Sequence, residues 1–322
     1  MKILYVTNMY PHQNNPYYGI FVKEQIDALS ALDGTEGRDI KTKLIFINSK
    51  RTLLAYIWSV FSINFHLCFN RYDIIHIHYG LSGVFLLFNF FTKTPVAVTF
   101  HGGDIQKERK RPVQNFVSKR LARRSALCIV LNDRMEAAVT DLCKRTLKAP
   151  CGIDADTFKP VSVPEERKGY AVVFPGSSLI AVKNYPLFEK VIIEARKKLN
   201  EPVEIIEIKN MTRPEVASAL NKADCLMMTS FSEGSPQIIK EAMACDLPII
   251  STKVGDVEEL IKGVDNCFIA EESTPEGLLE NLLKVLNSCK RSLNGRQKIF
   301  EMGLDSRSVA LKIYRSYTQI IN

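Results

Sequence analysis

Residues 223–244 read Ala223-Asp224-Cys225-Leu226-Met227-Met228-Thr229-Ser230-Phe231-Ser232-Glu233-Gly234-Ser235-Pro236-Gln237-Ile238-Ile239-Lys240-Glu241-Ala242-Met243-Ala244. The apolar run that ends at Thr229 has the length and composition of a buried strand. A polar loop follows, and then a helix opens. Ser235 suits the N-cap of that helix, and Pro236 suits its first position, where the missing N–H has no partner to lose. A strand whose loop runs into a helix is half of a βα unit. The opening amides form an anion site at the strand's carboxyl end, and Gly234 lets a ligand approach the backbone closely. Glu233, just before the helix, can face such a ligand. Glu241, about one and a half turns inside, can accept paired hydroxyls, as a carboxylate does with a ribose. An ordinary capped helix with two surface glutamates has the same spacing.

The same alternation extends in both directions. Short β-branched runs at Ile3–Thr7, Lys43–Ile47, Asp73–Ile77, Val96–Phe100 and Leu127–Leu131 form a first series of strands. Ala171–Phe174, Val203–Ile206, Cys225–Thr229, Pro248–Ser251 and Cys267–Ile269 form a second. Helical patterns lie between them, among them Gly19–Leu32, Arg134–Lys144, Leu187–Leu199, Pro214–Ala223, Pro236–Ala244, Val257–Lys262 and Pro275–Ser288. Such alternation predicts parallel, doubly wound α/β sheets with helices on both faces. The series breaks over Lys148–Pro164, which carries Pro150, Gly152, Pro160 and Pro164. Two Rossmann-like units facing each other across a cleft are therefore expected, divided after residue 155, with ligands beyond the carboxyl ends of the strands.

Composition agrees. The 322 residues, 46% hydrophobic and 24% charged, suit a soluble chain of two domains. Residues 1–150 carry 21 Lys/Arg against 11 Asp/Glu, whereas residues 151–322 carry 22 against 24. The basic first half points to an anionic partner: nucleic acid, an acidic membrane surface or a phosphorylated substrate. Lys107, Arg109, Lys110, Arg111, Lys119, Arg120, Arg123 and Arg124 crowd one stretch of that half, but no recognition motif and no interleaved aromatics accompany it, so nucleic acid is not an expected partner. None of the eight cysteines forms a C-x-x-C pair, which predicts a reduced, cytoplasmic setting without a disulfide or zinc framework. The apolar opening Met1–Val6 is too short for a signal peptide. Thr52–Asn70 contains no Asp, Glu, Lys or Arg, yet Thr52, Ser59, Ser62, His66 and Asn70 fall on one helical face. That pattern predicts an amphipathic helix, either mostly buried or resting on a membrane, with burial favoured. Neither G-x-G-x-x-G, nor G-x-x-x-x-G-K-[ST], nor G-x-S-x-G occurs. Dehydrogenase, P-loop and α/β-hydrolase readings lose their main support.

Glu233-x7-Glu241, followed by Ala242-Met243-Ala244-Cys245-Asp246-Leu247-Pro248-Ile249-Ile250-Ser251-Thr252 and Val254-Gly255, closely resembles the signature of family-4 retaining glycosyltransferases of GT-B fold. Tyr18-Gly19-Ile20-Phe21-Val22-Lys23-Glu24-Gln25 resembles that family's N-terminal glycine loop. Asp73-Ile74-Ile75-His76-Ile77-His78 and Phe100-His101-Gly102-Gly103-Asp104 resemble two acceptor-domain motifs, and Cys151-Gly152-Ile153-Asp154 resembles the linker motif. The resemblance extends in order from Met1 to Lys262. It implies an N-terminal acceptor-binding domain (1–155, with a crossover helix over about 306–322) and a C-terminal donor-binding domain (156–305).

The resemblance also implies residue roles. Glu241 would bind the ribose of a UDP- or GDP-sugar. Glu233 would lie beside the donor sugar, with the amides of Gly234, Ser235 and Gln237, around Pro236, along its hydroxyls and phosphate. Lys183 matches the diphosphate lysine and would stabilise charge on the leaving group. His101 would hydrogen-bond the donor sugar, and Gly19 would help enclose it. Gly102, Gly103, Asp104 and His78 would lie on the acceptor side, with His78 at the cleft edge and His76 buried. The family usually carries Arg right after the glycine at Gly176. This chain has Ser177 and Ser178 there, so hydroxyls or a basic residue from elsewhere are expected at the phosphate. Catalysis is expected to need no metal and no cofactor beyond the nucleotide-sugar substrate. Asp154-Ala155-Asp156 is therefore taken as an accidental D-x-D. The acceptor is expected to be a glycan or a lipid-diphosphate-linked glycan, in cell-surface polysaccharide synthesis. An anionic membrane surface, the inner face of the plasma membrane, is an expected partner of the basic half. The alternatives are a nucleotide-sugar-binding protein without transferase activity and an epimerase on the same fold.

Overall fold

Strand β1 (Lys2–Thr7) is buried from its second residue onward, as an apolar run covered on both faces must be. It opens the first of two units, Met1–Gly152 with Ser306–Asn322 and Ile153–Asp305. The computed structural model describes residues 1–35, 38–48, 52, 54–105, 112–162, 168–288, 290–292 and 294–321. In the first unit β1 is followed by α1 (Ile20–Ser30), β2 (Lys41–Phe46), α2 (Leu54–Phe69), β3 (Ile74–His78), a 3-10 segment Gly80–Phe88, β4 (Val96–Thr99), α3 (Pro112–Arg124), β5 (Leu127–Val130), α4 (Asp133–Val139) and β6 (Thr146–Lys148). The strands pair in parallel in the order β2-β1-β3-β4-β5-β6. The short edge strand β6 was not expected, and α4 ends earlier than the helical pattern over 134–144 suggested. Asn132 starts α4 by accepting the Met135 amide.

The second unit contains β7 (Tyr170–Phe174), α5 (Tyr185–Lys198), β8 (Val203–Glu207), α6 (Arg213–Lys222), β9 (Cys225–Met228), α7 (Gln237–Ala244), β10 (Ile249–Ser251), α8 (Val257–Ile261), β11 (Phe268–Ile269), α9 (Pro275–Ser288) and α10 (Gly295–Glu301). Its parallel order is β11-β10-β9-β7-β8. On one face α5 and α9 bring Phe188, Ile192, Leu278 and Leu282 against Val172 and Met227. On the other, Val216, Ile239, Met243 and Ile299 pack against Val173, Leu226 and Met228. The strand order reverses between β7 and β9, which makes the carboxyl ends of those strands the topological switch point. In the first unit the reversal lies between β1 and β3.

The chain enters the second unit at Ile153, ahead of the expected break after residue 155. Ile153 donates its amide to Leu304 and is buried with Phe158 in the second unit's core. Within the proline-bearing stretch 148–164, residues 163 and 164 lie outside the described residues, as do Lys107, Arg109, Lys110, Arg111 and Cys289.

The last helix, α11 (Ser306–Ile321), belongs to the first unit. Its Val309, Ala310, Ile313 and Tyr317 pack with Val22, Ile26 and Leu29 of α1 against Ile3, Tyr5 and Ile74 of the sheet. The opposite face is covered by α2, the 80–88 segment and α3, which place Ile63, Phe85, Leu86 and Leu121 over Leu4, Val6, Ile75 and Ile77. Helix α2 corrects the expected burial. Among its residues only Ser59 and Ile63 are buried, while Leu54, Ile57, Trp58, Phe61, Phe65 and Phe69 are exposed. The inner side carries Ile63, with Ala55, Val60 and Leu67 against the core, together with polar groups that find partners there, while Thr52 and Ser62 of the expected stripe are exposed. Asn64 donates to the Phe85 carbonyl, and His66 pairs with the Tyr72 hydroxyl at 2.7 Å. The aromatic side is left facing out.

Candidate active site

Two loops of the second unit meet at its switch point. The first leaves β7 through Gly176, whose φ of 145° lies where a side chain is strained. A Cβ there would come within 3.3 Å of Lys183 Cε. Past Gly176, the Ser178 amide donates to Glu207 Oε1 at 2.6 Å, tying the loop to the end of β8. Residues Ala181–Lys183 form a 3-10 turn, and Asn184, left-handed at φ 54°, starts α5. The second loop leaves β9. Thr229 Oγ1 donates to the carbonyls of Lys183 (3.1 Å) and Asn184 (3.0 Å), and the Phe231 amide donates to Val182. With the loops joined in this way, Lys183 Nζ meets Glu233 Oε1 at 2.8 Å, both side chains largely covered. The loop after β10 braces the turn. Gly255 sits at φ 56°, where a Cβ would fall 2.5 Å from the Gly234 carbonyl oxygen.

Glu241 lies on the buried side of α7, and its Oε1 accepts from Arg213 Nη2 at 2.6 Å. Arg213 begins α6, behind the capping box that Thr212 makes with Glu215, and its guanidinium lies over the Phe158 ring, 4.5 Å from the centroid. The sequence-expected donor residues thus divide into two charge pairs. Lys183 stands with Glu233, near Ser177, Ser178 and Gly234, and Glu241 stands with Arg213. Ser235 is not the N-cap. Pro236 occupies that position in an extended conformation (φ −69°, ψ 119°), and the helix begins at Gln237. The ring lets Pro236 stand at the non-helical residue as readily as at the first helical one. Arg213 was missed by sequence reasoning. The only local signal for Arg213 was its place behind a capping threonine.

In the first unit, Gly19 starts α1 at φ 66°, and a Cβ there would fall 2.4 Å from the Met9 carbonyl carbon, so the 9–19 loop closes only on glycine. His78, at the end of β3, is fully buried rather than at an edge. It is packed between His76 (centroids 4.3 Å apart) and His101 (5.5 Å, stacked), and its Nδ1 faces His101 Nε2 at 3.2 Å. His76 is tied to Thr99 Oγ1 at 2.7 Å and to the Tyr317 hydroxyl of α11 at 2.5 Å. Burial lowers both His76 and His101 to about 3, so both rings are neutral at physiological pH. Asp104 accepts the amides of Gly80 (3.0 Å) and His101 (2.9 Å), while burial pushes its carboxyl up to about 6. With Gly102 at φ 97° and the Gly103 carbonyl accepting from Gln114, Asp104 fixes the loop that presents His101. Asp154 spends its carboxylate on the amides of Asp156 and Thr157 and on the Thr157 hydroxyl, as the cap of a turn.

Family models match two stretches: Glycosyltransferase Family 4 over residues 27–157 and Glycosyl transferases group 1 over residues 183–288. An uncharacterised glycosyltransferase of Methanocaldococcus jannaschii is 30% identical over 108 residues, 33% of this chain and 31% of that protein. This chain thus spans about a third of that curated relative. Sucrose-phosphate synthase from Thermosynechococcus elongatus superposes with a TM-score of 0.78 at 16% identity, over 99% of this chain and 98% of that one. Anabaena HepE, solved in complex with UDP and glucose, superposes at 0.70 with 15% identity, over 99% of this chain and 100% of that one. At these identities the structures establish a shared fold of two Rossmann-like parallel-sheet units, the GT-B architecture.

Proposed function

Because the chain belongs to the group 1 and family 4 glycosyltransferases, we propose that it transfers a sugar from a nucleotide-diphosphate sugar to a hydroxyl of a glycan or lipid-diphosphate-linked glycan, with retention of anomeric configuration. The observation that carries this reading is the pairing of Lys183 with Glu233 where the loops after β7 and β9 meet. A lysine held 2.8 Å from a carboxylate is already oriented and partly desolvated. When a diphosphate enters, the ammonium exchanges one anion for another and opposes the charge that builds as the sugar departs. Glu241 accepts the ribose hydroxyls while Arg213 fixes its carboxylate. Arg213 also brings a cation to the Glu241 side of the site. The neutral His101 ring hydrogen-bonds the donor sugar.

Retention by double displacement requires a carboxylate against the anomeric carbon. The family this chain resembles usually offers no well-placed nucleophile there, so a front-face route is favoured in which the leaving phosphate accepts the acceptor's proton. The protein then acts chiefly by orienting both substrates and stabilising the departing charge. Uridine is the favoured base, since HepE was solved with UDP. No metal is required in this reading, and the product belongs to cell-surface polysaccharide synthesis. The test is a panel of UDP- and GDP-sugars with free and lipid-linked glycan acceptors, with EDTA and without it. Nucleoside diphosphate should appear together with an NMR-assigned product of retained configuration. Binding without release identifies a nucleotide-sugar-binding protein, and an altered free nucleotide sugar identifies an epimerase. Loss of turnover in EDTA, restored by manganese, overturns metal independence.

A further inference from the structure

Helix α2 is a built apolar surface with no protein against its outer face among the described residues. Trp58 is 71% exposed, and Leu54, Ile57, Phe61, Phe65 and Phe69 accompany it. The helix lies in one layer with the 80–88 segment and α3, on the same face of the sheet. Asn89 Nδ2 donates to Asn64 Oδ1, and Arg124 donates to the carbonyls of Leu86 and Asn89, so the three are held side by side. The neighbours extend the patch: Phe88, Phe90 (87% exposed) and Phe91 follow the segment, and Val113 and Phe116 lie on the outward side of α3.

The charge around this patch has one sign. Residues 41–132 contain fourteen Lys/Arg against three Asp/Glu. Of those acids, Asp73 holds the Lys2 amide, Asp104 is buried, and Glu108 lies outside the described residues. The outward stripe of α3 passes from Val113 and Phe116 to Arg120 and Arg123, with the Arg120 guanidinium over the Phe116 ring (5.4 Å). Exposed Arg71 and Lys93 add to the rim. An uncharged aromatic face with a cationic border fits an anionic lipid leaflet, where rings enter the interface and ammonium and guanidinium groups meet headgroup phosphates. A second copy of this chain would bring the same cations face to face. None of the described helices is long and apolar enough to cross a membrane.

We infer that the outer face of α2, continued by Phe88–Phe91 and α3, seats the first unit on an anionic bilayer, with Trp58 and its aromatic neighbours inserted. The attachment is independent of the transfer reaction and is read without substrate. Trp58 is the single tryptophan of the chain, so its emission reports the site directly. The full chain is mixed with vesicles of phosphatidylcholine alone, or of equal parts phosphatidylcholine and phosphatidylglycerol, at about 0.1 M and about 1 M salt, which shortens the screening length from ~10 to ~3 Å. The expected result is co-sedimentation and a blue-shifted emission, quenched by bromine-labelled acyl chains, on the anionic vesicles at low salt. The double variant Phe61→Ser/Phe65→Ser, which alters only exposed positions, should lower the bound fraction at least about tenfold with an unchanged melting curve. Reversing Arg120 and Arg123 to Glu should abolish the preference for phosphatidylglycerol. Unshifted emission with no sedimentation on either vesicle overturns the inference. So does a blue shift that follows protein concentration, with a doubled mass, in the absence of lipid.

Discussion

The carboxylate of Glu241 and the ammonium of Lys183 are both satisfied within the protein, by Arg213 and Glu233, and they make different predictions. Glu241→Ala removes the proposed acceptor of the ribose hydroxyls and leaves the half-buried Arg213 without its anion. Titration calorimetry with UDP should show affinity lowered about 100-fold, which is about 2.7 kcal/mol. Glu241→Gln, which keeps an acceptor oxygen, should lose less. An unchanged Kd in the alanine variant removes the ribose role. Lys183→Ala acts later in the reaction. In the proposed reaction its charge opposes that of the departing diphosphate, so kcat should fall about 10²–10³-fold while UDP affinity changes less. Equal losses in both would make Lys183 a binding group only. Glu233 was legible in the loop that follows a recognisable strand, whereas Lys183 was named only through the family resemblance. Their pairing, across 50 positions, was not legible. Nor was the pairing of Arg213 with Glu241, since a side-chain contact over 28 positions leaves no periodic trace.

Among the elements, strands were read most directly, because a run buried on both faces must be apolar at nearly every position. The three-residue β6, half-exposed, has no such run. Helix α2 shows what patterning leaves open. Its sequence contains a polar stripe, and the usual inference directs the other side to the core. Here Asn64 and His66 find hydrogen-bond partners outside the helix and Ile63 packs into the core, while the larger aromatic side chains face outward. With no charged residue on either side, hydrophobicity alone could not assign the inner face. Helix α11 is the opposite case, with apolar positions on one side and a buried seam at Val309, Ile313 and Tyr317. Ile313→Ala should cost about 2–5 kcal/mol in urea unfolding of the first unit, although residue 313 is remote in sequence from that unit's other residues. A cost below about 0.5 kcal/mol would show that α11 is not needed there.

At the scale of the whole chain, the buried histidines make the first unit sensitive to acid. His76 titrates ordinarily near 6.5 and in the fold near 3. Between those values the unfolded chain binds the extra proton, so stability is fully present above about 6.5 and is lost as pH falls toward 3. His78 and His101 are shifted the same way. Asp104 acts in the opposite sense. Raised from 3.8 to about 6, it makes the fold less stable as pH rises through that window. Three histidines outweigh one carboxyl, and the first unit should weaken steadily from pH 6 to pH 4. His76→Gln should reduce the slope of unfolding free energy by about 1.4 kcal/mol per pH unit, measured by urea melts across that range. An unchanged slope would show that the ring is charged in the fold.

The tandem arrangement of the two units was legible because a proline-bearing break separates two series of strands. Which helix completes which unit depends on where the last segment packs. Since α11 closes a layer begun by α1, a ribosome releases the strands of the first unit long before the helix that covers them. The second unit must be made in between. Until then Ile3, Tyr5 and Ile74 lack their final cover, and the nascent chain presents a sticky half-finished sheet to whatever chaperone waits at the exit tunnel.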